Sequence, residues 1–234
     1  MSNIPEGTIT REIRDHVFLM GVHRSAKMNS FTWDMLRDLS RAFGEYEAND
    51  DLRCAVVYAA GAHFTSGLDL ADVAPHVAAG ETHFSEAGID PWGVHGGMIS
   101  KPLVMAVQGR CWTLGTELSL AADIVVAADN TRFASLEVKR GIFAFGGATI
   151  RLPRVAGWGN AMRYLLTGDE FTVQDAYRFG IVQEITEPGK QLDKALEIAN
   201  QIAAQAPLAV RATIALARAA ANEGFKTGAR NITS

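Results

Sequence analysis

The chain has 234 residues, of which 48% are hydrophobic and 21% charged; that is enough apolar material for one large core and too much for a disordered chain. The net charge of −4 argues against nucleic acid as the main partner, because phosphate binding needs a basic surface. Two cysteines, Cys54 and Cys111, are too few for a disulfide scaffold and lack metal-ligand spacing, so a reducing, cytoplasmic setting is expected. The first residues carry no apolar signal core, and no apolar run approaches the ~18 residues of a membrane span.

In chain order, Val17–Val22 reads as a buried strand, followed by a polar loop over 23–29. Ser30 is positioned to cap a helix over 31–46, where Trp33, Leu36, Leu39 and Phe43 form a helical apolar stripe. Cys54–Ala59 is a second strand, and residues 68–73 a short helix. Residues 79–97 are rich in glycine, histidine and acids and lack periodicity, which predicts a mobile segment with little fixed structure. Residues 102–107 form a strand, 116–123 a helix, 124–128 a strand and 132–134 a short extended piece. Helices follow over 160–167 and from 172, with Thr172 and Asp175 at the two positions of a capping box. Two alanine-rich helices, 192–204 and 207–222, complete the pattern. The order predicts an α/β core with a helical C-terminal segment, placed at 1–190 and 191–234, without an internal sequence repeat.

Three constellations carry possible chemistry. In Phe64-Thr65-Ser66-Gly67-Leu68-Asp69-Leu70, Gly67 permits a turn that can aim the Leu68 N–H into a pocket; alone, the stretch reads more readily as an ordinary strand-to-helix connection. In Trp112-Thr113-Leu114-Gly115, the Leu114 N–H lies at a helix start, where free amides attract negative charge, and Glu117 lies one turn on. If the Leu68 and Leu114 amides converge, they form an oxyanion hole. The blander reading of Glu117 is dipole pairing at a helix N-terminus, and that of Glu137 is an exposed surface acid. Two carboxyls sharing a pocket can hold different protonation states and run acid and base steps on one substrate. The six histidines show no metal-binding spacing, and there is no nucleophile elbow or phosphate loop. His63 reads as a loop or pocket-wall residue, and Asp69 and Asp123 as acids that cap or pair.

These segments resemble the crotonase (enoyl-CoA hydratase/isomerase) superfamily along nearly the whole chain. The match rests on His23 to Ser30, Phe64 to Leu70, the strand opened by Lys101-Pro102, Glu117 to Asp123, Phe133 to Glu137, Gly141 to Pro153, and Leu166 to Asp169. The resemblance implies a right-handed spiral of repeated ββα turns, with C-terminal helices that assist a homotrimer or a dimer of trimers. It implies an acyl-CoA thioester as substrate, with no further cofactor, no metal, no nucleic acid and no membrane partner. The thioester oxygen would lie between the Leu68 and Leu114 amides. Arg24, Ala26, Lys27, Met28, Ser66, Gly67, Asp69, Gly115 and Phe145 would line the path of the CoA and acyl groups. Lys27 or Arg24 would meet the CoA phosphates.

Both acidic positions used by hydratases of the superfamily are glutamate here, 20 residues apart (137 minus 117). The resemblance therefore favours a hydro-lyase that adds water syn to a trans-2-enoyl-CoA, giving a 3-hydroxyacyl-CoA. Its alternatives are a Δ3,Δ2-enoyl-CoA isomerase, another activity of the same fold using one glutamate, and a non-catalytic acyl-CoA-binding subunit. The chain departs from the family pattern in Thr113-Leu114-Gly115, where three glycines are usual. It departs again in Ala144-Phe145, where proline and often glycine are found. On that basis Leu114 is expected to narrow the pocket and Phe145 to crowd the water site. The resemblance also implies that the chain ends, at Ser234, ahead of the last C-terminal helix that many members use to complete the CoA site and the trimer.

Overall fold

The computed structural model describes residues 6–82 and 87–224. The first five residues, the middle of the expected mobile segment and the end of the expected C-terminal segment lie outside them.

Six strands form the main sheet: β1 (Thr8–Arg14), β2 (Val17–His23), β3 (Cys54–Ala59), β4 (Leu103–Val107), β6 (Ile124–Ala128) and β9 (Glu184–Thr186), in the order β1-β2-β3-β4-β6-β9. β1 pairs antiparallel with β2, and every later pairing is parallel. Central strands covered on both faces carry continuous apolar runs rather than alternation. Alternate residues accordingly feed two cores. Phe18, Met20, Val57, Met105 and Val125 face the main core, whereas Leu19, Val56, Val104 and Val126 face a second one. The second core is closed by helix α7 (Gln191–Ala203), whose Ala195, Ala199 and Ala203 recur every four residues and let the helix lie close on the sheet.

A smaller sheet, β5-β7-β8, stands beside the first, built from β5 (Arg110–Trp112), β7 (Arg132–Ala134) and β8 (Phe171–Thr172). Two parallel bridges, Phe31 to Leu68 and Thr65 to Cys111, extend its pattern to the earlier turns. Each turn of chain thus lays one strand in the large sheet, a short one in the small layer, and then a helix or helical turn. The helices are α1 (Trp33–Ala48), α2 (Leu70–Ala78) and α3 (Leu114–Ala121); β6 and β7 lead into a 3-10 turn at Glu137–Arg140. This is the expected spiral of ββα units, a repeat carried by geometry and not by sequence identity. Helices α4 (Ala148–Ala156), α5 (Trp158–Thr167), α6 (Val173–Phe179) and α8 (Pro207–Glu223) complete the described residues. The capping box at Thr172 and Asp175 is formed. No helix among the described residues is long and apolar enough to cross a membrane.

Several expectations are corrected. α1 begins at Trp33 with Thr32 as its cap, not Ser30, because Phe31 is drawn into the bridge with Leu68. The same bridge delays α2 to Leu70. β1, β5, β8, β9 and α4 were not expected. The described part of the segment after α2 has no regular element, yet it is tied down: Asp90, itself buried, accepts hydrogen bonds from the Trp92, Val94 and His95 amides at 2.9, 2.7 and 2.7 Å.

Candidate active site

Two successive turns of the spiral bring their loops together. Gly67 has φ +108, and a Cβ there would lie 2.2 Å from the Thr113 hydroxyl, so only glycine lets the two loops touch. Thr113 adopts φ 50, ψ −116, a conformation that favours glycine. It is held there by its N–H, which donates to the Ala134 carbonyl at 2.7 Å, and by Thr116, whose hydroxyl donates to Cys111 O at 2.8 Å. The residues that follow the two contact points are Leu68 and Leu114. In the bridge with Phe31, the bonds run from Phe31 N to Gly67 O and from Asp69 N to Phe31 O. The N–H of Leu68 is therefore left facing away from Phe31. Leu114 is the first residue of α3 and has one of the free amides of a helix start. Neither amide has an acceptor among the described residues.

Both leucines line a cavity of about 730 Å³. Glu117 and Glu137 line it too, only 4% and 8% exposed. Glu117 sits on the first turn of α3, and its Oε1 accepts from the Ala148 N–H at 3.3 Å. A Cβ at Gly146 would meet its Oε2 at 2.5 Å, so this glycine exists to let backbone approach the carboxyl. Glu137 opens the 3-10 turn after β7, and its Oε2 is buried without a hydrogen-bond partner among the described residues. Burial, and next the charge of Glu137, push Glu117 up to about 7, while the amides of Ala148 and Gly146 and the cation of Arg151 pull it back. Glu137 is raised as well, by burial.

The remaining wall is mainly apolar, with Trp33, Leu36, Val73, Trp92, Trp112 and Ile142, and carries Arg140, His95, Glu81, Thr82, Ser66 and Thr113 as charged and polar groups. Among the residues expected from sequence, Met28, Ser66, Leu68, Leu114, Glu117, Glu137 and Phe145 all line this cavity. Phe145 is 43% exposed and meets Phe143 edge-on, so the expected crowding is not that of a buried plug. The others lie off the wall. Arg24 is paired with Asp69 at 2.9 Å and with the Ser30 hydroxyl at 2.8 Å, which sets both apart from the expected lining of the CoA path and gives Asp69 the pairing role the sequence suggested. Ala26 and Lys27 are exposed on a 3-10 turn, Ser25–Lys27. Gly67 packs on Thr113, and Gly115 packs into the core, where a Cβ would meet Thr65 at 2.6 Å. His63 lies off the wall, in a loop, where it accepts a hydrogen bond from the Arg110 N–H, and Asp123 accepts from the Leu103 N–H, the pairing role expected of it.

Sequence reasoning missed Trp92, whose indole N–H donates to the Leu114 carbonyl at 3.0 Å, and Arg151, which donates to the Trp92 carbonyl at 2.7 Å. Neither contact has a local signal, since the partners are 22 and 59 residues apart.

The model of the enoyl-CoA hydratase/isomerase family matches residues 12–232. The chain belongs to this family. It is 31% identical over 230 residues to the enoyl-CoA hydratase EchA19 of Mycobacterium tuberculosis, spanning 95% of this chain and 85% of that protein. It is 32% identical over 206 residues to the (E)-benzylidenesuccinyl-CoA hydratase of Thauera aromatica, spanning 88% and 80%. A crystal structure of a probable enoyl-CoA hydratase/isomerase from Mycobacterium abscessus superposes with a TM-score of 0.93 at 51% identity, spanning 97% of this chain and 87% of the other. The fold is crotonase-like, and within the superfamily the chain is most like the enoyl-CoA hydratases, enzymes of the hydro-lyase type.

Proposed function

We propose that the protein adds water syn across the double bond of a trans-2-enoyl-CoA, giving a 3-hydroxyacyl-CoA. The observation that carries this reading is the pair of buried glutamates facing one cavity beside two unsatisfied amides. The thioester oxygen accepts from the Leu68 and Leu114 N–H groups, which hold the negative charge as the enolate forms; one donor of this kind lowers a barrier by on the order of 3 kcal/mol. The working form has Glu117 ionised, as it is once pH passes about 7, and Glu137 protonated. Glu117 has amide donors that favour its carboxylate, whereas the bare Oε2 of Glu137 suits a neutral acid. Glu117 takes a proton from water as the oxygen bonds to C3, and Glu137 delivers its proton to C2 of the enolate. The two then exchange protons with solvent to reset. Lys27, exposed beside Met28, is the cation to meet the CoA phosphates, because Arg24 is engaged by Asp69. The scheme calls on nothing beyond the chain, the thioester and water.

The test is loss of absorbance of the conjugated thioester on mixing with enoyl-CoAs. Glu137→Gln is expected to lower kcat by about a hundredfold or more while CoA-thioester binding changes little. Failure to turn over short, medium and aromatic enoyl-CoAs removes the proposal, and equal losses in binding and turnover for Glu137→Gln remove its chemical role.

A further inference from the structure

One half-buried cation stands behind the site without touching the cavity. The Arg151 guanidinium, on α4, donates to the Trp92 carbonyl at 2.7 Å and reaches the Gly146 carbonyl at 3.5 Å. Both contacts lead back to α3. Trp92 donates its indole N–H to the carbonyl of Leu114. The turn that starts at Gly146 offers its amides to the Glu117 carboxyl. A ring therefore closes: Leu114, Trp92, Arg151, Gly146, Glu117, and back along one turn of helix. The backbone is shaped to admit the cation, since Gly147 has φ +111 and a Cβ there would lie 2.2 Å from Arg151 Nη1.

We propose that Arg151 is a positioning residue of the site, clasping the Trp92 loop to the Gly146 turn and so fixing both groups of α3 that face the substrate. The inference rests on the role proposed above for Glu117. A guanidinium suits the task because its planar fork holds two carbonyls at once, which a lysine ammonium does not do with the same geometry. Its charge acts as well, favouring the Glu117 carboxylate. Other charges bear on the pair: Asp90 from the Trp92 loop, Glu137 from the 3-10 turn, Arg154 on α4 itself and Arg218 from α8. Arg140, His95 and Glu81 line the same cavity. Replacing Arg151 leaves all of these in place.

The experiment is a titration of the Glu117 carboxyl by carbon-13 NMR, assigned with Glu117→Gln, together with hydrogen exchange of the Trp92 indole N–H, assigned with Trp92→Phe. In Arg151→Met the Glu117 titration is expected to move up by about half a pH unit or more, and indole exchange to quicken about tenfold or more through local opening. Arg151→Lys should restore most of the titration and little of the protection. If Arg151→Met does not fold, Arg151→Gln, which keeps a donor but no charge, takes its place with the same expectations. An unchanged Glu117 titration, or an unchanged exchange rate, in a folded charge-removing variant overturns the proposal. Neither readout needs turnover. An enzyme that hydrates no enoyl-CoA would refute the function proposed above while leaving the clasp measurable.

Discussion

At the scale of single residues, the site is made by close approaches that leave no room for a side chain. Gly146 is the clearest case, because its backbone has no positive φ and accepts alanine, yet the added methyl would strike the Glu117 carboxyl. Gly146→Ala is expected to fold normally and to lose about tenfold or more in kcat through displacement of that carboxyl, measured by hydration assay and thermal melt side by side. Glu117 also carries a stability signature. Folded, it holds its proton up to about 7, whereas an exposed glutamate in the unfolded chain releases it near about 4.3. The folded state binds more protons between those values. The contribution of Glu117 to stability is therefore fully present below about pH 4.3 and is lost as pH climbs through about 7. Glu117→Gln removes the titration, so its urea midpoint should rise relative to that of the original protein on going from pH 5 to pH 8. A difference that stays constant across that range would show that ionising this carboxyl costs the fold nothing.

At the scale of elements, local signals succeeded where they were complete. The capping box at Thr172 and Asp175 has both halves in the sequence and forms as expected. At the start of α1 two hydroxyl residues compete, Ser30 and Thr32, and propensity does not choose between them. The choice falls to Thr32 because Phe31 is paired with Leu68, a residue 37 positions away (68 minus 31). The Thr32 hydroxyl accepts from the Met35 N–H at 3.2 Å, so Thr32→Ala is expected to cost about 1 kcal/mol in a denaturant melt, and Ser30→Ala much less. The strands of the small sheet, only two or three residues long, are too short to carry a period of their own. Helix α4 was hidden for a different reason: its start follows two glycines and it contains Pro153, both of which read as helix breakers. The helix turns on the very glycines that admit Glu117 and Arg151.

At the scale of the molecule, large apolar side chains remain exposed on α4 and α5, among them Ile150, Val155, Trp158 and Leu166. Large apolar side chains gathered on two successive helices often mark a protein contact. We propose that it is covered by further copies of the chain, in the homotrimer or dimer of trimers that the resemblance implied. Light scattering on the purified protein is expected to give a mass of three or six chains, and Trp158→Glu to lower it. A monomer at micromolar concentration would remove the proposal.

The sequence by itself determined the class of fold and pointed to the two glutamates and the two leucines that line the cavity, because each sits in a local motif of turn, glycine and helix start. It determined the family as well, because the motifs recur in one order along the chain. Tertiary structure alone decided that both glutamates are buried in one cavity, that Arg24 is committed to Asp69, that Phe145 stands partly exposed and that Trp92 and Arg151 brace α3. Those facts depend on segments far apart in the chain meeting at distances set by packing, and packing is a property of the whole spiral that no window of sequence contains.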